Sequence, residues 1–142
     1  MEFLIGAVLA LSIGVSATFI GLDRDRAFYP TVMLVIASTY ALFAVMGGST
    51  QSLQHEAIPI VVFVAASIAG FKRSLWLVVA ALAAHGIFDF FHGKVIENPG
   101  VPTWWPDFCL AYDVVAAAYL AWLLSNARVQ AAPPNTRRGG VP

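Results

Sequence analysis

Apolar residues run along this chain in blocks, without the alternation that marks half-buried strands. A bilayer core about 30 Å thick takes roughly 20 residues of helix, and five windows approach that length between charge, proline or glycine. Residues 3–20 are almost wholly apolar, and Asp23-Arg24-Asp25-Arg26 follows them. Residues 30–46 open on Pro30, suited to a first helical turn, and close on Gly47-Gly48. A shorter third run, 57–71, stops at Lys72-Arg73, and a fourth, 75–92, is apolar until His85. The polar, proline-bearing stretch 93–106 separates it from a fifth, 107–124. The pattern predicts an all-α membrane protein: one domain over residues 1–125, a bundle of about five transmembrane helices, followed by a disordered cytoplasmic tail over 126–142.

Within the first run, Gly6, Ala10 and Gly14 recur every four residues, a ridge of small side chains that suits close packing on another membrane helix. The alternative for this run is a cleaved secretory signal, for which Val15-Ser16-Ala17 is a loose cleavage-site match. The acidic Glu2 and the lack of a basic start argue against it.

Composition agrees with lipid as the solvent. Hydrophobic residues make up 59% of the chain and charged residues only 11%, against roughly a quarter charged in soluble domains. A zero net charge without a long basic run argues against nucleic acid as a partner. The single cysteine, Cys109, excludes an intrachain disulfide and a multi-cysteine metal site within one chain. Basic residues fix the expected orientation: Arg24, Arg26, Lys72, Arg73, Arg128, Arg137 and Arg138 fall on one side, and only Lys94 on the other. The first side is then cytoplasmic and the amino terminus outside, as expected for a multi-pass protein of the cell's inner (plasma) membrane. Trp104 and Trp105 then fall near the outer interface, Trp76 and Trp122 near the inner one.

That topology gathers His55, His85, His92, Glu2, Glu56, Asp89, Glu97, Asp107 and Asp113 in the outer half. Ionisable groups at membrane depth are costly, so they face the bundle interior and point to function. The motif His85-x3-Asp89-x2-His92 puts three side chains on one helical face. His85 and His92 are about 10.5 Å apart along the axis, so one ion takes an adjacent pair more readily than all three. Asp113, about 9 Å along the fifth helix from Asp107, reaches the depth of Asp89 or His85 and can complete a site. Cys109, His55 and Glu56 are further candidates, whereas Glu97 and Asp107 read as interfacial. The competing reading of the whole cluster is structural: side chains that bond one another, Asp89 to His85 or Asp113 to Tyr112, and fix helix register.

The stretch His85-Gly-Ile-Phe-Asp-Phe-Phe-His92, followed by Pro99-Gly-Val-Pro102-x-Trp-Trp-Pro106-x-Phe-Cys109-x3-Asp113, resembles an uncharacterised family of small bacterial integral membrane proteins. The resemblance implies a compact helical membrane fold, with His85, Asp89, His92, Pro102, Trp105, Cys109 and Asp113 as signature positions. It implies no reaction. Gly93 stands where the family is associated with a second histidine, which weakens transfer of a multi-histidine site.

Three functions compete. In a metal-dependent hydrolase acting on a lipid or amphiphile, His85, Asp89 and Asp113 hold a divalent ion, zinc by their mixed donors, and His92 or Glu56 acts as general base. Alkaline-ceramidase-type membrane hydrolases use a loosely similar set. In a proton or ion transport component the same groups form a titratable path, but the inner half offers only hydroxyls such as Ser12 and Thr39 to continue it. In an accessory subunit the cluster is structural, and Ala116, Ala117 and Ala118 suit docking on a membrane-protein partner or in a homo-oligomer.

Overall fold

The computed structural model describes residues 1–132. It consists of five helices: α1 (Glu2–Ile20), α2 (Phe28–Met46), α3 (Thr50–Lys72), α4 (Trp76–Val95) and α5 (Trp105–Ser125), with a single 3-10 turn, Leu22–Arg24, after α1. All five are long and apolar enough to cross a membrane. Their outward faces are apolar too: Phe19 is 88% exposed, and Met46 and Ile58 are also largely exposed. Such side chains are stable against hydrocarbon, where a helix satisfies its own backbone.

The helix ends follow from local chemistry. α1 stops at Gly21, whose φ of 87° lies in the left-handed region and whose N–H returns to the Ala17 carbonyl. α3 begins seven residues before the apolar run that predicts it, because the Ser49 hydroxyl accepts a hydrogen bond from the Ser52 N–H and starts the helix in a polar stretch. Pro59 lies inside α3 and removes the donor that would meet the His55 carbonyl. α4 continues past the expected end at residue 92 to Val95, and α5 opens on Trp105 with Pro106 in its first turn.

Consecutive helices run antiparallel. Arg24, Arg26, Lys72, Arg73 and Arg128 share one end, called the basic end below. α4 packs on α5 and α3, α1 packs on α5, and α2 packs on α3 with a smaller contact on α4. The buried side of α1 is Gly6, Ala10, Gly14 and Ala17, the small-residue ridge seated on α5. Met33 and Ala37 of α2, Val78 and Leu82 of α4, and Leu120 and Leu123 of α5 form the centre of the core. Ala116 and Ala117 are buried there as well, so of the three alanines expected to suit docking only Ala118 is exposed.

The first residues of the expected disordered tail are folded onto the basic end. Val129 is buried, and the Ala131 carbonyl accepts the Leu75 N–H at 2.8 Å. An apolar side chain and an orphan amide at the start of α4 are both satisfied this way. Residues 133–142 of that tail lie outside the described residues.

Candidate metal centre

Three helices bring ionisable side chains into the end of the bundle opposite the basic end. His85, Asp89 and His92 lie on the buried face of α4, Asp113 on α5 and Glu56 on α3, all at most 2% exposed. Spacings of four and three residues keep the α4 trio on one face. Close approach of α5 is possible because position 86 is glycine: a Cβ there would lie 3.0 Å from the Asp113 Cβ and 3.2 Å from the Leu110 carbonyl oxygen.

These residues form two groups. In the first, His85 Nδ1 is 2.8 Å from Asp113 Oδ2 and 3.3 Å from Asp89 Oδ2. One candidate ligand atom from each residue lies within 4.8 Å of the others, so the three could hold a metal ion. Asp113 bonds His85 rather than Tyr112. Both oxygens of Asp89 and Oδ1 of Asp113 are buried without a hydrogen-bond partner. The Tyr40 hydroxyl and the Cys109 thiol lie beside Asp89 as available donors to it.

In the second group, His92 Nε2 is 2.8 Å from Glu56 Oε1, which also accepts a hydrogen bond from the Asn98 side-chain amide at 2.8 Å. Asn98 reaches the Tyr40 carbonyl as well, at 3.2 Å, and its own Oδ1 accepts the Gly100 N–H. The Tyr40 ring stacks on His92 with centroids 4.0 Å apart. Tyr40 therefore stands between the groups, its ring against His92 and its hydroxyl beside Asp89. Neither Tyr40 nor Asn98 is a sequence-level candidate; the Asn98-Pro99-Gly100 turn was the available signal for the second.

The other candidates lie elsewhere. His55 is exposed, Glu97 is exposed, Asp107 is half-buried and Glu2 pairs with the amino terminus at 2.7 Å. Asp23, which alternates with arginines in sequence, is buried and accepts the Thr18 hydroxyl at 2.6 Å.

Space around the two groups differs. A crevice between Tyr40, Glu56, Phe63, His85 and Phe88 is too narrow to admit a water molecule. On its far side, Pro59, Phe63 and Phe88 also line an apolar groove of about 530 Å³ on the bundle surface between α3 and α4. His92 and Asn98 border a separate cavity of about 290 Å³ under the Pro99–Pro106 loop.

Magnitudes decide what the first group can do. A charged aspartate at the centre of a membrane helix costs about 3 kcal/mol on insertion scales, and a hydrogen bond between membrane helices returns only about 0.6 kcal/mol on average. The single bond between Asp113 and His85 therefore does not offset two charged carboxylates, which need either protons or a cation. A divalent ion is one such cation, since the three residues could hold a metal ion and three of their carboxylate oxygens have no formed hydrogen bond. His85 could serve as a ligand through Nδ1 only when that nitrogen carries no proton. The sequence matches no protein-family model, no curated protein and no solved structure.

Proposed function

We propose that this chain is a multi-pass protein of a bacterial inner membrane, amino terminus outside, whose His85, Asp89 and Asp113 hold a divalent ion for hydrolysis of a lipid or other amphiphile. The observation that carries the reading is the convergence of one imidazole and two carboxylates in the buried interior, with one candidate ligand atom from each of His85, Asp89 and Asp113 within 4.8 Å of the others. Imidazole nitrogen with two carboxylates favours zinc, and three protein ligands are the number that catalytic zinc sites use. Such an ion would supply Lewis acidity and bring the pKa of water toward neutrality.

The chain's own residues supply the rest. Glu56, itself held by the Asn98 amide, fixes His92 in one orientation beside a cavity, the arrangement of a general base and its orienting partner. The apolar groove between α3 and α4 suits an acyl chain entering sideways from lipid, and movement of Phe63 or Phe88 would join it to the ligands. Elemental analysis of the detergent-purified protein beside an Asp89→Ala, Asp113→Ala double variant tests the ion. About one metal per chain, absent from a monodisperse variant, is the expected result, followed by metal-dependent turnover in a screen of amphiphilic esters and amides. Metal-free wild type, or a double variant that keeps its metal, overturns the site.

A second reading rests on the crevice that excludes water around His85. In it the two histidine–carboxylate groups carry or share protons, or fix the register of α3, α4 and α5 in an accessory subunit. It predicts no bound metal, with either a proton flux in liposomes that Asp89 and Asp113 control or co-purification with a membrane partner.

A further inference from the structure

The basic end carries a site of another kind. Between the turn after α1, the end of α3 and residues 127–130 lies a cavity of about 780 Å³. Its wall holds four cations, Arg24, Arg26, Lys72 and Arg128, against one carboxylate, Asp25. Asp25 is engaged by the backbone, accepting the Ala27 N–H at 3.1 Å. Among the described residues none of the four cations pairs with a carboxylate.

The cavity is built into the fold. Arg26 donates to the Gln130 carbonyl at 3.0 Å and the Phe71 carbonyl at 2.7 Å, which ties the segment after α5 to the end of α3. Partial burial lowers the Arg26 pKa from its ordinary value, yet guanidinium starts so far above neutrality that it stays charged. The Arg128 guanidinium lies 5.2 Å over the Trp122 ring, and both Trp122 and Trp76 are about half exposed at this end. Tryptophans so placed sit at the headgroup level of a bilayer. Phe71 adds an apolar wall on the hydrocarbon side.

We propose that this cavity binds the phosphate headgroup of an anionic phospholipid. Cation excess, interfacial depth and a wall that is part apolar are what such a headgroup needs, and a free phosphate ion would use only the first. The site is independent of the metal centre and fails or stands separately from it.

The test uses the full chain in an uncharged detergent, with native mass spectrometry reading lipid retained per chain as phosphatidylglycerol, phosphatidylcholine or inorganic phosphate is added. Saturable retention of one phosphatidylglycerol, at least about tenfold tighter than phosphatidylcholine and weakened by salt, is expected. The Lys72→Gln, Arg128→Gln variant, at exposed positions whose side chains make no hydrogen bond, should bind about thirtyfold more weakly, and Arg24→Gln alone about fivefold. Equal binding of the two lipids, unchanged binding by these variants, or inorganic phosphate that competes at the lipid's own affinity each overturns the proposal.

Discussion

The two histidine–carboxylate groups share α4 and differ in how far their oxygens are satisfied. In the His92 group, Glu56 Oε1 takes two hydrogen bonds and only Oε2 is unpartnered. In the His85 group, both oxygens of Asp89 and one of Asp113 lack a formed hydrogen bond at the same depth of burial, although Asp89 Oδ2 lies 3.3 Å from His85 Nδ1. Residue type and helix face are alike, so the difference lies in the neighbours. Asn98 and Tyr40 close around His92 from a loop and a third helix, whereas an acidic side chain on each of two helices faces His85. The first arrangement positions an imidazole; the second gathers two carboxylates around one.

The largest effect that would sharpen this contrast is on metal content. Asp113→Asn keeps the shape of the site but removes a charge, and should weaken metal binding more than about a hundredfold, since outer partners of a metal alone are worth 10–100-fold. Glu56→Gln should leave the metal in place. Metal analysis after desalting checks both, and loss in the Glu56 variant with retention in the Asp113 variant would exchange the roles of the groups.

Stability should move in the opposite sense. Glu56→Ala strands His92 and Asn98 and should cost about 2–4 kcal/mol. Asp89→Ala in metal-stripped protein removes orphaned oxygens and should leave stability unchanged or raise it by about 1 kcal/mol. Unfolding in mixed micelles measures both, and an equal loss in the two variants would break the distinction.

Smaller again is the effect of helix spacing. Gly86→Ala places a methyl group against Asp113 and the Leu110 carbonyl, and should cost about 1 kcal/mol with a several-fold loss of metal affinity as α5 gives way. Gly93→Ala meets nothing within 4 Å and should instead gain about 0.5–1 kcal/mol from helix propensity. Thermal unfolding of the pair, with metal titration, reads the sign of each.

The spans were legible because an apolar helix in lipid needs little beyond length, and the same rule hid what is polar. The start of α3 carries Gln51, Ser52, Gln54, His55 and Glu56, so an apolar window discards it, although Ser49 caps it as in a water-soluble helix. That omission left Glu56 at a helix end, whereas it lies buried well inside one. His85, Asp89 and Asp113 could be brought together from rise per residue alone, since α4 and α5 are antiparallel neighbours. Pairing Glu56 with His92 depends on the register of α3 against α4, and placing Asn98 depends on a loop path. Neither has a periodic signal. The packing of Val129 and Ala131 on the basic end was equally hidden, because one apolar residue among polar neighbours reads as tail.

The ridge of α1 on α5 also sets an order of events during synthesis. The earliest-made of the five helices has its main partner in the last, and at about 5–20 residues per second α1 waits on the order of ten seconds for α5 to emerge. Throughout that interval Gly6, Ala10 and Gly14 lack the helix they pack on, and Asp89 emerges before Asp113 can stand beside it. Arrival of a single helix then docks the amino-terminal segment and completes the acidic cluster in one step. A ribosome stalled before residue 105 would hold a chain with neither.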